Sequence, residues 1–267
     1  MKQCLRLILI LTLVCLTFSS CAEGIKFTDI EPGKEYVINL KQVAELRGKD
    51  YQSLFYRLAQ GSATDGKYAY VATLKRNENG GLFKADLNDW SIVNMVYGLE
   101  FGHANDLVFN TKKNELYAVY LDQPHSKKLV NIDPDTLEII GEVELSFPFY
   151  AVSYNETRDQ YAFGLGGDYT IVLTDSDFKY LKLLPGVNTG LTRQGMDCDD
   201  QYIYFLHWDS KNHKSQMMVY DWEGHHINTI KINNYSEVES MFHIGDDYYI
   251  TFLSSYPKIY KATLVEQ

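Results

Sequence analysis

From residue 35 to the C-terminus the chain alternates apolar and polar positions with a period of two, in short runs rich in Tyr, Val, Ile and Phe. Tyr68-Ala69-Tyr70-Val71-Ala72, Glu115-Leu116-Tyr117-Ala118-Val119, Gln160-Tyr161-Ala162-Phe163, Tyr202-Ile203-Tyr204-Phe205-Leu206 and Tyr248-Tyr249-Ile250-Thr251-Phe252 are the clearest. This is the signal of half-buried β-strands. Between them stand tight-turn sequences: Asp65-Gly66, Lys112-Lys113-Asn114, Asp199-Asp200 and Gly245-Asp246-Asp247,. The pattern of an amphipathic helix is missing, apart from a helical turn expected at Val43-Ala44-Glu45-Leu46. The expected class is all-β.

The runs are also periodic on a larger scale, recurring as a unit about every 40 to 45 residues,. Each unit starts with small or polar residues and continues into an alternating aromatic strand. Four units carry four strands each. The fifth stops one strand short, while an unassigned strand, Glu35-Tyr36-Val37-Ile38-Asn39-Leu40, precedes the first. A β-propeller of five four-stranded blades, closed by the N-terminal strand, accounts for both leftovers, because closure removes sheet edges. It would occupy 35–267 as one domain. The alternatives are six blades, with 25–57 forming a blade of its own, and a β-sandwich.

The first residues read differently. Lys2 and Arg6 precede an apolar run from Leu7 to Phe18, which is shorter than the roughly 20 residues of a membrane-spanning helix. It has the form of a signal peptide. The following Phe18-Ser19-Ser20-Cys21 resembles the lipobox of bacterial lipoproteins, with Phe18 where that pattern usually has Leu. The resemblance implies cleavage before Cys21, acylation of its thiol, a signal peptide over 1–20 and an anchored segment over 21–34. The protein would then be extracytoplasmic and held to a membrane by lipid. Ala22 in place of Asp favours the outer membrane or cell surface in a Gram-negative cell.

Composition narrows the partners. The net charge is −10, and losing Lys2 and Arg6 takes it to −12, which speaks against nucleic acid and anionic lipid as partners. With 21 Tyr and only 6 Pro, the body should be globular rather than an extended stalk. A monomer is the expected state. Of four cysteines, only Cys198 would remain in the body, so no intrachain disulfide can form. A lone Cys198 reads as a small core residue.

The chain lacks a Walker loop, a dinucleotide glycine fingerprint, HExxH, CxxC and GxSxG,. Two S-x-x-K matches, Ser176 to Lys179 and Ser255 to Lys258, fall where strands and turns belong. Candidate chemistry comes instead from convergence. If the strand that starts each unit lines a central channel, then Gln60, His103, Asn105, Asp106, Tyr150, Arg193, Gln194, Glu237 and Glu239 meet there as ligand-binding residues.

Gly102-His103-Ala104-Asn105-Asp106, with Gln60-Gly61 and Gln194-Gly195, resembles segments of secreted bacterial propeller-like proteins of unassigned function. By repeat pattern alone, about residues 35 to 265, also resemble five-bladed propellers of the glutaminyl cyclotransferase type. That resemblance carries over no catalytic residue.

Three functions suit this composition. The first is a binding module for a small polar ligand, such as a glycan fragment, with Trp208 as an aromatic to watch. The second is a hydrolase or lyase using Asp106, Glu237 and Glu239 with His103 as proton shuttle. The third is a protein-interaction scaffold at the cell envelope. No resident cofactor is expected, although Asp106, Glu239 and Asn105 offer the hard oxygens that Ca²⁺ takes. His225-His226 reads as a turn.

Overall fold

A computed structural model describes residues 24–48, 56–75, 80–120, 127–165, 171–234 and 236–267. Cys21 and the signal-like run lie outside the described residues. The fold is all-β, and among the described residues the one helical element is a 3-10 turn at Phe27–Asp29.

After β1 (Tyr36–Glu45), the strands form consecutive antiparallel groups. The first is β2 (Tyr56–Thr64), β3 (Tyr68–Lys75), β4 (Gly80–Asp86) and β5 (Ile92–Leu99). The second is β6 (Leu107–Asn110), β7 (Glu115–Tyr120), β8 (Lys128–Ile132) and β9 (Ile139–Glu144). The third is β10 (Ala151–Asn155), β11 (Gln160–Gly164), β12 (Ile171–Asp175) and β13 (Tyr180–Leu184).

β14 (Thr192–Cys198), β15 (Tyr202–Asp209), β16 (Lys214–Asp221) and β17 (His226–Ile232) follow, then β18 (Val238–Ile244), β19 (Asp247–Phe252) and β20 (Lys258–Glu266). These last two groups merge into one eight-stranded sheet through β1, in the order β14-β15-β16-β17-β1-β20-β19-β18. β1 runs antiparallel to β20 from Tyr36↔Glu266 to Glu45↔Lys258. It is parallel to β17 at Val37↔Lys231 and Ile38↔Ile232.

The helical turn expected at Val43–Leu46 is strand instead. β1 continues through Glu45 with a bulge between Gln42 and Ala44, and Leu46 N donates to Pro257 O at 2.8 Å. The long edge of β20 offers backbone partners that an isolated turn lacks. Ala44 and Leu46 are then buried against Phe83, Phe242 and Ile259.

The recurring Asp residues make the turns. Asp86, Asp133, Asp175 and Asp221 each accept backbone N–H bonds from the residues that follow, from Asn88, Asp135, Asp177 and Glu223 among others. Such side-chain acceptors close a turn without help from the ladder. Three of these turns hold a bulky residue at positive φ: Trp90 at 60°, Leu137 at 63° and Phe178 at 62°. Leu137 lies in an apolar core between sheets, and Phe178 and Trp90 pack onto two others. Burial of these side chains offsets the strain of roughly 1 to 3 kcal/mol.

Each group buries apolar residues against the next. Tyr70 and Leu82 meet Leu107, Leu116 and Val130; Tyr117 and Leu129 meet Val152, Tyr161 and Phe163; Ala162 and Leu173 meet Met196, Ile203 and Phe205. Leu206, Met217 and Ile230 meet Ile38, Met241 and Ile250, and Phe242 and Ile259 meet Val71 and Phe83. The starting strands touch in the same cyclic order: β2 against β6, β6 against β10, β10 against β14, β14 against β18 and β18 against β2.

Ile38 is fully buried on β1, at the seam between β17 and β20. Ile38→Ala should cost about 2 to 5 kcal/mol in chemical denaturation, and a loss below 1 kcal/mol would show that β1 does not hold the seam.

Candidate functional site

The segment Gly102 to Asp106 enters the centre of the molecule just ahead of β6 and ends in a carboxylate with no solvent exposure. Asp106 Oδ2 accepts from Val152 N of β10 at 3.0 Å and Met196 N of β14 at 2.8 Å. Its Oδ1 accepts from Leu107 N of β6 at 3.1 Å and Ser240 Oγ of β18 at 2.8 Å. Ser240 Oγ in turn accepts from Ser62 N of β2 at 3.0 Å. One carboxylate and one hydroxyl thus link all five starting strands. Burial pushes the Asp106 carboxyl well above the ordinary carboxylate range, while its donors pull it down.

This hub explains the paired glycines. A Cβ on Gly61 would stand 2.4 Å from the Asp106 carbonyl carbon, and one on Gly195 would stand 2.8 Å from both Asp106 Oδ1 and Ser240 Oγ. Gly61 N also donates to Ala104 O at 3.0 Å. Each glycine lets its strand approach the aspartate, while the glutamine beside it turns to the other side.

Asp106 is therefore not a ligand-binding or catalytic carboxylate: both oxygens are filled by protein donors. The Ca²⁺ set of Asp106, Asn105 and Glu239 also falls apart, since Asn105 and Glu239 line a cavity that Asp106, with both oxygens occupied, does not. Among the described residues, no three His, Cys, Asp or Glu side chains are grouped to hold a metal ion.

The remaining sequence-derived positions come together. Gln60, His103, Asn105, Tyr150, Arg193, Gln194, Glu237 and Glu239 line one cavity of about 620 Å³, with Leu58, Thr192 and Leu253 among its other walls. Gln194 Nε2 donates to Glu237 Oε1 at 2.8 Å. The Arg193 guanidinium stands 4.4 Å from the centre of the Tyr150 ring, and its Nη1 donates to Leu165 O at 3.1 Å.

Two acceptors in this cavity are left over. Gln60 Nε2 donates to Ala59 O at 2.9 Å, but its buried Oε1 meets no donor among the described residues. Glu239 is 3% exposed, and no hydrogen-bond donor among the described residues meets its carboxylate. Burial, and then the neighbouring Glu237 charge, push Glu239 well above the ordinary carboxylate range. Burial also raises Glu237, against the pull of the Gln194 amide.

A second cavity of about 500 Å³ is lined from the far ends of the same starting strands and the turns beyond them. Here His243 Nδ1 and Asp197 Oδ2 lie 2.7 Å apart, and the Tyr248 ring stacks on the imidazole with centroids 5.1 Å apart. Burial lowers the His243 pKa, but the Asp197 carboxylate outweighs it and carries the imidazole to about 9. Sequence reasoning missed this pair. The signal was available: Asp197 and His243 sit on neighbouring starting strands, a few residues beyond Gln194 and Glu239.

The other candidates are structural. Trp208 is buried edge-on to His213 and lines neither cavity. Cys198 is 1% exposed, and burial pushes its thiol up, away from reactivity,. His225 pairs with Asp221 at 2.7 Å on an exposed turn.

Asp106→Ala should cost about 3 to 5 kcal/mol, because it strands buried N–H groups of several strands at once; a denaturation midpoint close to wild type would dismiss the hub. His243 gives a pH signature. Its folded pKa of about 9 lies above the unfolded value near 6.5. Its contribution is therefore full below about pH 6.5 and is lost as pH rises through about 9. His243→Gln should flatten the fall in stability over that window, and an unchanged slope would assign it to other groups.

No protein-family model and no curated protein matches the chain. Among solved structures, the chain is similar to the tail fiber of Staphylococcus aureus phage P68, with a TM-score of 0.61 and 14% identity, over 90% of this chain and 54% of that one. The chain thus spans about half the length of that neighbour, and the likeness is one of fold.

Proposed function

We propose that this chain is an exported, lipid-anchored five-bladed β-propeller that binds a small polar ligand, such as a glycan fragment, in the mouth of its central channel. Support for the blade count comes from the cyclic contacts of β2, β6, β10, β14 and β18 and from the pairing of β1 with β20. On this reading the eight-stranded sheet is two blades joined where β1 meets β17. Support for export and for acylation of Cys21 comes from Lys2, Arg6, the apolar run and Ser19-Ser20-Cys21,. Among the described residues, no helix is long and apolar enough to cross a membrane.

The observation that carries the ligand reading is the convergence of polar side chains from every unit on one cavity of about 620 Å³, with the Glu239 carboxylate and Gln60 Oε1 left unfilled. Such a volume suits a small molecule. Buried polar groups without protein partners are costly, and a ligand that meets them recovers that cost.

One observation favours a second reading, a hydrolase or lyase. Glu239 is held well above the ordinary carboxylate range beside Glu237, so an acid and a base would stand together in the cavity, as hydrolysis of a glycosidic bond uses them. The scaffold reading draws on β13, where Tyr180, Leu181 and Leu183 are 60%, 46% and 52% exposed,.

The test is thermal unfolding of the full chain in detergent against a panel of sugars, oligosaccharides and divalent cations. A ligand at 100 times its Kd adds about 2.7 kcal/mol. A rise in Tm that vanishes in His103→Ala is expected. A rise that survives that substitution puts the ligand elsewhere, and no rise across the panel moves the weight to the protein-interaction reading.

A further inference from the structure

We infer that the cavity recognises its ligand through a protonated primary amine, seated against Glu239, Glu237 and Gln60 Oε1. The inference rests on the ligand-binding reading above and names the chemistry of that ligand.

Among the described residues, the cavity's unfilled side-chain atoms include a set of acceptors: the two oxygens of Glu239, the buried Oε1 of Gln60 and the Glu237 oxygen that Gln194 does not bond. A neutral hydroxyl brings one donor and adds two further lone pairs, so it fits such a wall poorly. An ammonium group brings three donors and no lone pair.

Charge points the same way. Two carboxyls line the cavity, and the nearby guanidinium is turned to the Tyr150 ring and Leu165 O rather than to Glu239. Among the described residues no cationic side chain pairs with this carboxylate, which is 3% exposed. A ligand cation would supply it, with the strength of a charge-assisted hydrogen bond. A metal ion fits less well, because the described residues do not group three acidic or imidazole ligands anywhere.

Burial disfavours ionisation of both glutamates, and an ammonium beside them favours it, so the two are linked through the glutamates' titration. Binding therefore tightens with rising pH until the amine itself titrates, and it releases protons. An amino sugar and a simple diamine share the ammonium; they differ in whether the rest of the molecule offers hydroxyls to the other polar side chains of the cavity, Thr192 and Arg193 among them.

The experiment is isothermal titration calorimetry of the full chain in detergent with D-glucosamine, N-acetyl-D-glucosamine, D-glucose, 1,4-diaminobutane and calcium chloride, each to about 10 mM. The expected result is binding of at least one amine, with N-acetyl-D-glucosamine and D-glucose weaker by ~30-fold or more. Glu239→Gln should weaken the amine by a similar factor, with heats in wild type that depend on buffer ionisation. Glu237→Gln, at a half-buried position, should weaken it in the same direction and serves if the first variant does not fold.

Glucosamine preferred over diaminobutane identifies an amino sugar, and the reverse identifies a simple amine; both sustain the inference. Equal binding of the neutral sugars, lost on Glu239→Gln, overturns the amine and leaves the ligand reading standing. Glu239-dependent calcium binding without amine binding also overturns it. Silence from both amines overturns it as well, and the thermal panel then decides the ligand reading separately.

Discussion

The interior of this protein depends on one buried carboxylate. Asp106 accepts from the backbones of β6, β10 and β14 and from the Ser240 hydroxyl, which extends the link to Ser62 on β2. Strands at the centre of a closed arrangement converge where their N–H groups cannot all pair with neighbours, and unpaired buried donors are costly. An acceptor-only side chain with two oxygens resolves several of them together. The arrangement also requires the backbone to come close, which is why Gly61 and Gly195 lack side chains there.

The hub partitions the interior. Toward one end the starting strands present Gln60, Gln194 and Glu239, with Glu237 just ahead of β18, and toward the other Asp197 and His243. The two ends differ electrostatically. At one, a carboxylate lacks a cation among the described residues; at the other, the carboxylate already has its imidazolium. That difference is why the first end carries the ligand argument.

Much of the architecture could be read from the chain because each unit repeats the same local chemistry. Alternating aromatics mark the strands, and in the structure Asp86, Asp133, Asp175 and Asp221 close the turns that follow four of the third strands. The stray strand at Glu35–Leu40 announced its pairing because the last unit lacked one. Its continuation to Glu45 was hidden by the bulge at Gln42 and Ala44, which interrupts the alternation, so that the local pattern looked helical.

For the site, Gln60, Tyr150, Arg193, Gln194 and Glu239 were found because they occupy matching places in successive units. Asp106 was misread for a physical reason: it is adjacent to Asn105, and sequence position does not say which of two neighbouring polar residues faces the cavity and which faces backbone donors. Ser240 offered no signal at all, since a single hydroxyl in a strand is unremarkable until its partners are placed.

The location of β1 has a mechanical consequence. The chain that leads into the body reaches it through Ile25, whose N donates to Leu264 O at 2.9 Å, and then through a strand held on both edges, by β20 and by β17. Tension applied at the N-terminus pulls along β1, across the direction of its ladder hydrogen bonds. Those bonds are loaded in shear, many at a time, rather than peeled one after another. The seam where β1 lies between β17 and β20 is thus also oriented to resist being pulled.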